Sequence, residues 1–262
     1  MKPTPTTDIT EKDLDKNLKK SGKRRVQPLL LNDMSPFLIR EAYKAIRANI
    51  NFALGAKKEC KKFIITSSSS AEGKTTSCIN LSIAFAQTKA KVLLIDADMR
   101  KPSIHKYIGI KNTSGLSNVL SGFTQLNEVI KKTQHGFDCL PAGPTPPNPA
   151  ELLMAQPCAD LLNTLSQYYD YIILDTPPVG IVSDSLGLVD KIDGSILIVR
   201  ENFSTHENFQ KAVAALQFAD AKILGFVLND SLGEGNSYKY RYRYRNNYKH
   251  YDYGEDYYNY YY

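Results

Sequence analysis

The segment Thr66–Thr76 has the composition of a phosphate-binding loop, Thr-Ser-Ser-Ser-Ser-Ala-Glu-Gly-Lys-Thr-Thr. An apolar stretch precedes it and a helical pattern follows, which is the strand–loop–helix setting that such loops occupy. There, backbone N–H groups hold a β-phosphate, Lys74 reaches the β and γ oxygens, and Thr75 ligates Mg²⁺. Ser68 replaces the pattern's first glycine, so a serine-rich turn with an incidental Gly-Lys-Thr stays an alternative. The predicted ATP contacts in the loop are Ser69, Ser70, Ala71, Glu72, Gly73, Lys74, Thr75 and Thr76.

Three aspartates stand where apolar runs end. Asp96 and Asp98 follow Val92–Ile95, and Asp175 follows Tyr171–Leu174. A single aspartate at a strand end is more often a turn or cap residue, but three beside a phosphate loop are better explained as a Mg-nucleotide site. The predicted metal-binding residues are Thr75, Asp96, Asp98 and Asp175.

Tyrosine is concentrated at the end of the chain, where 12 of the last 25 residues are tyrosine and only five others occur elsewhere. A core tyrosine needs a packing partner and a hydrogen bond, so a terminal cluster without aliphatic neighbours cannot build a core. Phosphoryl transfer needs an acceptor, and because a phenol has a pKa near 10, a carboxylate beside it would help to position its proton. Asp96 or Asp98 could do this, and the sequence does not assign which. The predicted acceptors are Tyr238, Tyr240, Tyr242, Tyr244, Tyr248, Tyr251, Tyr253, Tyr257, Tyr258, Tyr260, Tyr261 and Tyr262.

The formal charge of +6 lies at the two ends of the chain. Residues 1–27 have eight Lys/Arg and four Asp/Glu, residues 238–262 have five and three, and the remainder has 20 of each. Basic ends can meet anionic membranes, nucleic acid or acidic protein segments, or remain solvated without a partner. The four cysteines have no metal or disulfide spacing, and we expect reduced thiols in a cytosolic protein. We find no leader-like apolar region and no apolar run long enough to span a bilayer.

Short apolar runs alternate with helical patterns along the middle of the chain. This alternation predicts an α/β fold, a parallel sheet covered by helices on both faces, with ligands bound beyond the carboxyl ends of the strands. The predicted strands are Phe63–Thr66, Val92–Ile95, Phe137–Leu140, Tyr171–Leu174, Ser195–Val199 and Ile223–Leu228. The predicted helices include Thr75–Lys89, Ala150–Tyr168 and Thr205–Phe218, and another begins at Ser35 with Pro36 in its first position. We therefore expect a disordered basic arm and linker over 1–34, an ATP-binding domain over 35–230 and a disordered tail over 231–262.

These features together resemble the bacterial tyrosine kinases of capsule and exopolysaccharide biosynthesis, in their separate cytoplasmic form. The resemblance rests on the phosphate loop, on Asp-Ala-Asp-Met-Arg at Asp96–Arg100 and on Ile-Leu-Asp-Thr-Pro-Pro at Ile173–Pro178. Two further stretches, Gly115–Gly122 and Leu140–Leu153, are also similar to that family. The resemblance spans roughly residues 35–230 and implies a P-loop fold that uses ATP and Mg²⁺ to phosphorylate the tail, mainly between subunits. It makes Lys74 and Thr75 phosphate and Mg²⁺ ligands, and Asp96, Asp98 and Asp175 the catalytic and metal cluster.

The same resemblance implies partners and further residues. Relatives of the separate type are switched on by a membrane-embedded polysaccharide chain-length regulator, and a cognate tyrosine phosphatase is expected. The protein would then be cytoplasmic and recruited to the inner face of the membrane by its partner. Asn229 resembles the adenine-contacting Asn of related ATPases. Glu41, Lys44 and Arg47 match a Glu-x-x-Arg-x-x-Arg helix that closes a ring of subunits, although Lys44 lacks arginine's planar fork; an exposed face with i, i+3 charge pairs is the alternative.

Other functions remain open from the sequence. A deviant-Walker partition or positioning ATPase shares this fold, but those proteins resemble one another in a second lysine early in the loop, where this chain has Ser69. The alternating Tyr and Lys/Arg of the tail could bind single-stranded nucleic acid, or could associate as a low-complexity segment. Neither property explains an attached phosphate loop, so we expect a kinase without a nucleic-acid partner.

Overall fold

The structure is a computed structural model that describes residues 30–55 and 59–230. Seven strands occur in this part of the chain: β1 Lys61–Ser67, β2 Val92–Asp96, β3 Lys131–Lys132, β4 Asp138–Leu140, β5 Tyr171–Asp175, β6 Gly194–Arg200 and β7 Ile223–Asn229. Eight α-helices accompany them: α1 Phe37–Leu54, α2 Lys74–Ala86, α3 Ile104–Ile108, α4 Leu116–Leu120, α5 Leu126–Val129, α6 Pro149–Met154, α7 Gln156–Leu165 and α8 His206–Phe218. A 3₁₀ helix covers Asp184–Lys191.

The strands form one sheet in the order β3-β4-β2-β5-β1-β6-β7. All neighbouring strands pair in parallel except β3, which runs antiparallel to β4 at one edge. Alternate residues of the central strands enter the cores on opposite faces: Phe63 and Ile65 pack with α1 and α2, whereas Ile64 packs with α7. The predicted parallel sheet with helices on both faces is therefore confirmed. Its carboxyl edge presents the phosphate loop and both aspartate segments side by side.

Helix α1 is confirmed, and of the i, i+4 row Leu38, Ala42, Ile46 and Ile50 that predicts it, the last two residues face the core and the first two are exposed. Pro36 lies one residue earlier than predicted, in the N-cap position. The helix packs through Ile39, Tyr43 and Ile46 against the core, whereas Leu38 is exposed. The side of α1 that is buried therefore depends on its contacts with α2 as well as on the spacing of its apolar residues.

One prediction about the elements was wrong, and several short helices were not predicted. The helix predicted over 150–168 is divided, because Ala155 adopts an extended conformation and a new helix begins at Gln156, with Pro157 in its first turn. The short helices between β2 and β4 were not predicted, since four or five residues are too few to show a helical period. One of them, α3, belongs to the site, because the backbone N–H of its first residue, Ile104, donates to Asp96.

The first described residues already pack against the domain. Leu31 is buried, and its backbone N–H donates to the Oδ1 of Asn80 at 2.8 Å. The twelve predicted acceptor tyrosines and most of the predicted arm lie outside the described residues. Among residues 30–55 and 59–230, no helix is long and apolar enough to cross a membrane.

Candidate active site

The phosphate loop connects β1 to α2 over residues 68–73. Gly73 caps α2 with a left-handed φ of 88°, which glycine adopts without a steric penalty. A Cβ at this position would come 2.0 Å from Nδ2 of Asn229, so the close approach also requires glycine. Ala71 is left-handed as well, with φ 66°. Ser68 is buried in the place of the pattern's first glycine, and the loop still leads directly into a helix N-terminus.

Lys74 lies between two of the predicted aspartates. Its Nζ is 2.9 Å from Oδ1 of Asp175 and 3.5 Å from Oδ2 of Asp98. Burial alone would lower the pKa of Lys74, but the two carboxylates outweigh it and raise that pKa above its ordinary value. The lysine is therefore a fixed cation at the carboxyl edge of the sheet, which suits it to bind phosphate oxygens.

Thr75 and Asp175 are joined directly. The Thr75 hydroxyl donates to Oδ2 of Asp175 at 2.7 Å and lies 3.1 Å from the hydroxyl of Ser103. Burial raises the pKa of Asp175, and Lys74 and the Thr75 hydroxyl oppose this rise. A hydroxyl and a carboxylate in contact are the hard oxygen ligands that Mg²⁺ prefers.

Asp96 is fully buried, as is Asp175. Its Oδ2 accepts from the backbone N–H groups of Ser103 and Ile104, each at 3.1 Å. Its Oδ1 is buried and has no hydrogen-bond partner in the described part of the chain. Burial raises the pKa of Asp96 to about 8, and the charge of Asp175 adds to the rise. An orphaned carboxyl oxygen of this kind indicates a position meant for a proton or a cation.

Asp98 differs from Asp96 because it is slightly accessible, at 7% exposure. Its Oδ1 accepts from the backbone N–H of Lys101 at 3.0 Å, and its Oδ2 faces Lys74. Asp96 and Asp175 are register partners on adjacent strands, which explains why carboxylates from two distant parts of the sequence share one site. The predicted proximity of these residues is thus what the fold produces.

The donor set can be tested against Mg²⁺. Within residues 30–55 and 59–230, no three His, Cys, Asp or Glu side chains already form a metal-binding group. Mg²⁺ commonly uses only one or two carboxylates and completes its shell with water and substrate phosphates. Thr75 and Asp175 beside the orphaned oxygen of Asp96 satisfy that smaller requirement, so the residues fit the ion.

Glu72 has a different environment from the one its motif position suggests. Its side chain is fully buried, and its carboxylate accepts from the Ser68 hydroxyl at 2.6 Å, from the Ser69 backbone N–H at 2.9 Å and from the Ser204 hydroxyl. The carboxylate therefore points into the loop and towards the β6–α8 connection. A phosphate contact of Glu72 would have to come from its backbone N–H.

Side chains near the end of β7 also hold the phosphate loop. Asn229 Nδ2 donates to the backbone carbonyl of Glu72 at 2.9 Å, which places this predicted adenine contact against the loop. Arg200 donates to the carbonyl of Ala71 at 3.2 Å and pairs with Asp230, its Nη2 lying 2.8 Å from Oδ2. Sequence reasoning missed Arg200 and Ser204, because neither lies in a motif.

A second contact that the sequence did not predict joins the segment after β2 to the 3₁₀ helix that follows β5. Arg100 donates through Nε and Nη2 to both carboxylate oxygens of Asp184, at 2.7 and 2.9 Å. Asp184 is 1% exposed, whereas the Arg100 side chain is 45% exposed. The arginine was visible in the Asp-Ala-Asp-Met-Arg motif, but nothing in the sequence indicated its partner.

The predicted ring-interface residues occupy one side of α1. Lys44 Nζ lies 2.7 Å from Oε1 of Glu41, and both side chains are about half exposed. Arg47 instead donates to the backbone carbonyl of Ala84 near the end of α2. The i, i+3 pair of the alternative interpretation is therefore present, and the role of these residues in an interface stays a prediction.

Comparison with known proteins places this site in a family. A family model described as an AAA domain matches residues 62–206. The tyrosine-protein kinase YwqD of Bacillus subtilis is 37% identical over 224 residues, covering 85% of this chain and 94% of YwqD. CapB of Staphylococcus aureus, a tyrosine-protein kinase by name, is 37% identical over 235 residues, covering 89% of this chain and 98% of CapB.

A solved structure agrees with these relatives. The kinase domain of the Escherichia coli tyrosine kinase Etk superposes with a TM-score of 0.75 at 32% identity, covering 87% of this chain and 88% of that domain. Full-length Etk is longer: this chain matches it at 34% identity over only 31% of its length. The coverage of YwqD and CapB is nearly complete, and the phosphate loop and strand-end aspartates stand in contact. This chain is a member of the bacterial tyrosine-protein kinase family.

Proposed function

We propose that this protein transfers the γ-phosphoryl group of ATP to the tyrosines of its own C-terminal cluster, mainly between subunits. The observation that carries the proposal is the position of Lys74, held between Asp175 and Asp98 at the helix N-terminus that ends the phosphate loop. Fixed positive charge at this point offsets the charge that develops on a transferring phosphoryl group.

The end of the described part of the chain supports a substrate role for the tail. The last described strand ends at Asn229, whose amide contacts the phosphate loop, so the chain is at the site where its described part ends. The 25 residues that hold the tyrosines span roughly 80 Å when fully extended. Such a segment can reach the site of a neighbouring subunit.

The remaining roles follow from burial and hydrogen bonding. Lys74 and backbone N–H groups of the loop bind phosphate, and Thr75 with Asp175 and Asp96 would hold Mg²⁺. When bound, that ion would offset the negative charge of the phosphate groups. Asp98 is more exposed than Asp96 and Asp175 and is the residue that we assign to the tyrosine hydroxyl, since a base must come within hydrogen-bond reach of the proton it takes. The buried Asp96 cannot approach an incoming side chain as closely.

The proposal is tested by incubation with Mg-ATP. Wild-type protein is compared with Lys74→Met, with a chain in which the twelve tail tyrosines are phenylalanine, and with Lys89→Met as a matched control. Lys89 is exposed in the turn that follows α2, at the end of the helix away from the phosphate loop. Tyrosine phosphate should appear in the wild type and in Lys89→Met only. ATP hydrolysis without tyrosine phosphate, even with an activating partner added, would exclude a kinase of this kind.

The proposed partners are a membrane-embedded polysaccharide chain-length regulator that activates the kinase and a tyrosine phosphatase that reverses its action. We infer that the first recruits the protein from the cytoplasm to the inner face of the membrane and that the assembled output is control of capsular or exopolysaccharide polymerisation and export. The much greater length of Etk supports an association with additional domains. Co-purification of this chain with a membrane fraction only when the regulator is present would support this inference, and equal recovery without it would contradict it.

A further inference from the structure

The segment from Arg100 to Lys111 is strongly basic and begins at the site. It holds Arg100, Lys101, Lys106 and Lys111, and the chain has no Asp or Glu between Asp98 and Glu128. Arg100 is paired with Asp184. The three lysines are exposed and form no ion pair with any acidic residue in the described part of the chain. The segment therefore presents unneutralised positive charge to solvent.

Backbone contacts fix this segment along the carboxyl edge of the sheet. Its start is tied to the catalytic cluster, since the Lys101 N–H donates to Asp98 and the Ile104 N–H donates to Asp96. Gly109 then turns the chain with a left-handed φ of 71°. The following residue returns to the helix, because the Ile110 N–H donates to the carbonyl of His105 at 3.1 Å.

The far end of the segment is also anchored at this edge. Asn112 exchanges two hydrogen bonds with Gly143, just beyond the carboxyl end of β4. Strand β4 lies next to β2, which ends in Asp96. The backbone that carries the lysines thus runs beside the site, from the carboxyl end of β2 to that of β4.

The proposed substrate is the tyrosine-rich tail, and only its last part carries the negative charge that would complement the lysines. Residues 238–250 contain five Lys/Arg and no Asp/Glu, whereas residues 251–262 contain three Asp/Glu and no Lys/Arg. The acidic part also holds seven of the twelve tail tyrosines. A basic rim attracts the second part and repels the first, because interactions between exposed charges act over a Debye length of about 8 Å at physiological salt.

We propose that Lys101, Lys106 and Lys111 bind the acidic segment 251–262 of a second copy and present its tyrosines to the site before those of 238–250. This inference rests on the proposed function, since it concerns the order in which that substrate is used. Phosphate added to the distal tyrosines strengthens the attraction, because each phosphate contributes about −1.5 to −2 charges. The basic proximal tyrosines follow once phosphorylation has reversed the charge around them.

The test separates the enzyme from its substrate by isotope labelling. The substrate is the full chain with Lys74→Met, labelled with ¹⁵N, so that it cannot phosphorylate itself and its peptides are distinguished by mass. The enzyme is the unlabelled full chain, either wild type, Lys106→Glu with Lys111→Glu, or Lys89→Glu with Lys91→Glu as a control of equal charge change. Lys89 and Lys91 are exposed at the opposite end of β2. Mass spectrometry follows phosphate at each tail tyrosine over time.

Wild-type enzyme should modify the distal tyrosines first, and reversal of Lys106 and Lys111 should slow the distal sites about three- to tenfold, the range expected for two exposed charges. The control pair should leave the order unchanged. Substrate with Asp252→Asn, Glu255→Gln and Asp256→Asn should lose the preference with every enzyme, and added salt should weaken it. If Lys106→Glu with Lys111→Glu melts earlier than wild type, Lys106→Gln with Lys111→Gln replaces it.

Several results would overturn the inference. A distal preference that survives both charge reversal and tail neutralisation would do so, as would an equal effect of the control pair. Phosphorylation without any order in the wild type would also exclude it. Absence of tyrosine phosphate in every reaction is a different result, because it would contradict the proposed function itself.

Discussion

Glu72 illustrates how a single residue of a phosphate loop can stabilise the loop instead of contacting the ligand. Three donors from two segments converge on its buried carboxylate, two from the loop itself and one from Ser204. A buried donor that loses its acceptor costs about 1–3 kcal/mol. The Glu72 side chain therefore fixes the path of the phosphate loop and holds it against the segment between β6 and α8.

Two replacements of Glu72 should show whether the loop needs its hydrogen bonds or its negative charge. Glu72→Ala leaves the buried Ser68 hydroxyl without its acceptor, whereas the part-buried Ser69 and Ser204 donors can turn to water, so we expect the KM for ATP to rise about tenfold and the free energy of unfolding to fall by about 2 kcal/mol. Glu72→Gln should keep both near wild type, because its carbonyl can accept from Ser69 and its amide can donate to the two hydroxyls. Nucleotide titration and urea unfolding measure the two quantities. Equal losses in both variants would show that the charge itself is needed.

Most residues of the site could be predicted from local sequence motifs, but the contacts between them could not. Lys74, Thr75 and the three aspartates follow apolar strands, and parallel strands bring their carboxyl ends together. The partner of Arg100 was not predictable, since Asp184 lies 84 positions away in a segment without periodicity. Only the packing of the loop after β5 beside the loop after β2 brings the two side chains together.

The Arg100–Asp184 pair makes an asymmetric prediction. Arg100→Ala leaves a carboxylate unpaired in a buried position and should lower the free energy of unfolding by about 2–4 kcal/mol. Asp184→Asn should cost about 1 kcal/mol, because the half-exposed guanidinium can be solvated. Urea unfolding of both variants and of the double variant tests this. The double variant should be more stable than Arg100→Ala alone, and the reverse order of the single variants would contradict the argument.

At the scale of elements, burial decided which predictions succeeded. The central strands β1, β2 and β5 are apolar runs that end in polar residues, and all three were found at the predicted places. The division between α6 and α7 was missed, because the apolar positions on both sides of Ala155 continue one helical pattern. The extended backbone at Ala155 alone ends one helix and starts the next, and it leaves no trace in the hydrophobic pattern of the sequence.

The packing of α4 depends on Gly115. A Cβ on this residue would lie 2.1 Å from the carbonyl oxygen of Pro141 and 2.4 Å from the amide nitrogen of Gly143. Gly115→Ala must therefore move the loop after β4, at a cost of about 1–3 kcal/mol in the free energy of unfolding. Ser114→Ala is the neighbouring control and should change stability by less than about 0.5 kcal/mol. Thermal and urea unfolding provide the measurement, and equal stability of the two variants would show that the loop yields freely.

For the whole molecule, surface and charge both bear on assembly. The start of α1 and the turn before it expose Met34, Phe37 and Leu38, which are 92%, 65% and 62% exposed. Large apolar side chains grouped on a surface often mark contacts between proteins. They lie next to Glu41 and Lys44, so the exposed surface continues the predicted ring interface. Tails attached to such a ring would be held at high local concentration.

Phosphorylation should loosen this assembly. The 25-residue tail has a formal charge of +2 from five Lys/Arg and three Asp/Glu, and two phosphates at about −1.5 to −2 each already reverse it. Tails held together in one oligomer then repel one another, so fully phosphorylated protein should elute as a smaller species than dephosphorylated protein in size-exclusion chromatography with light scattering. Lys74→Met treated with Mg-ATP should elute with the dephosphorylated form. Because the repulsion is screened by salt, the difference should shrink as ionic strength rises, and equal sizes at low salt would show that tail charge does not control the assembly.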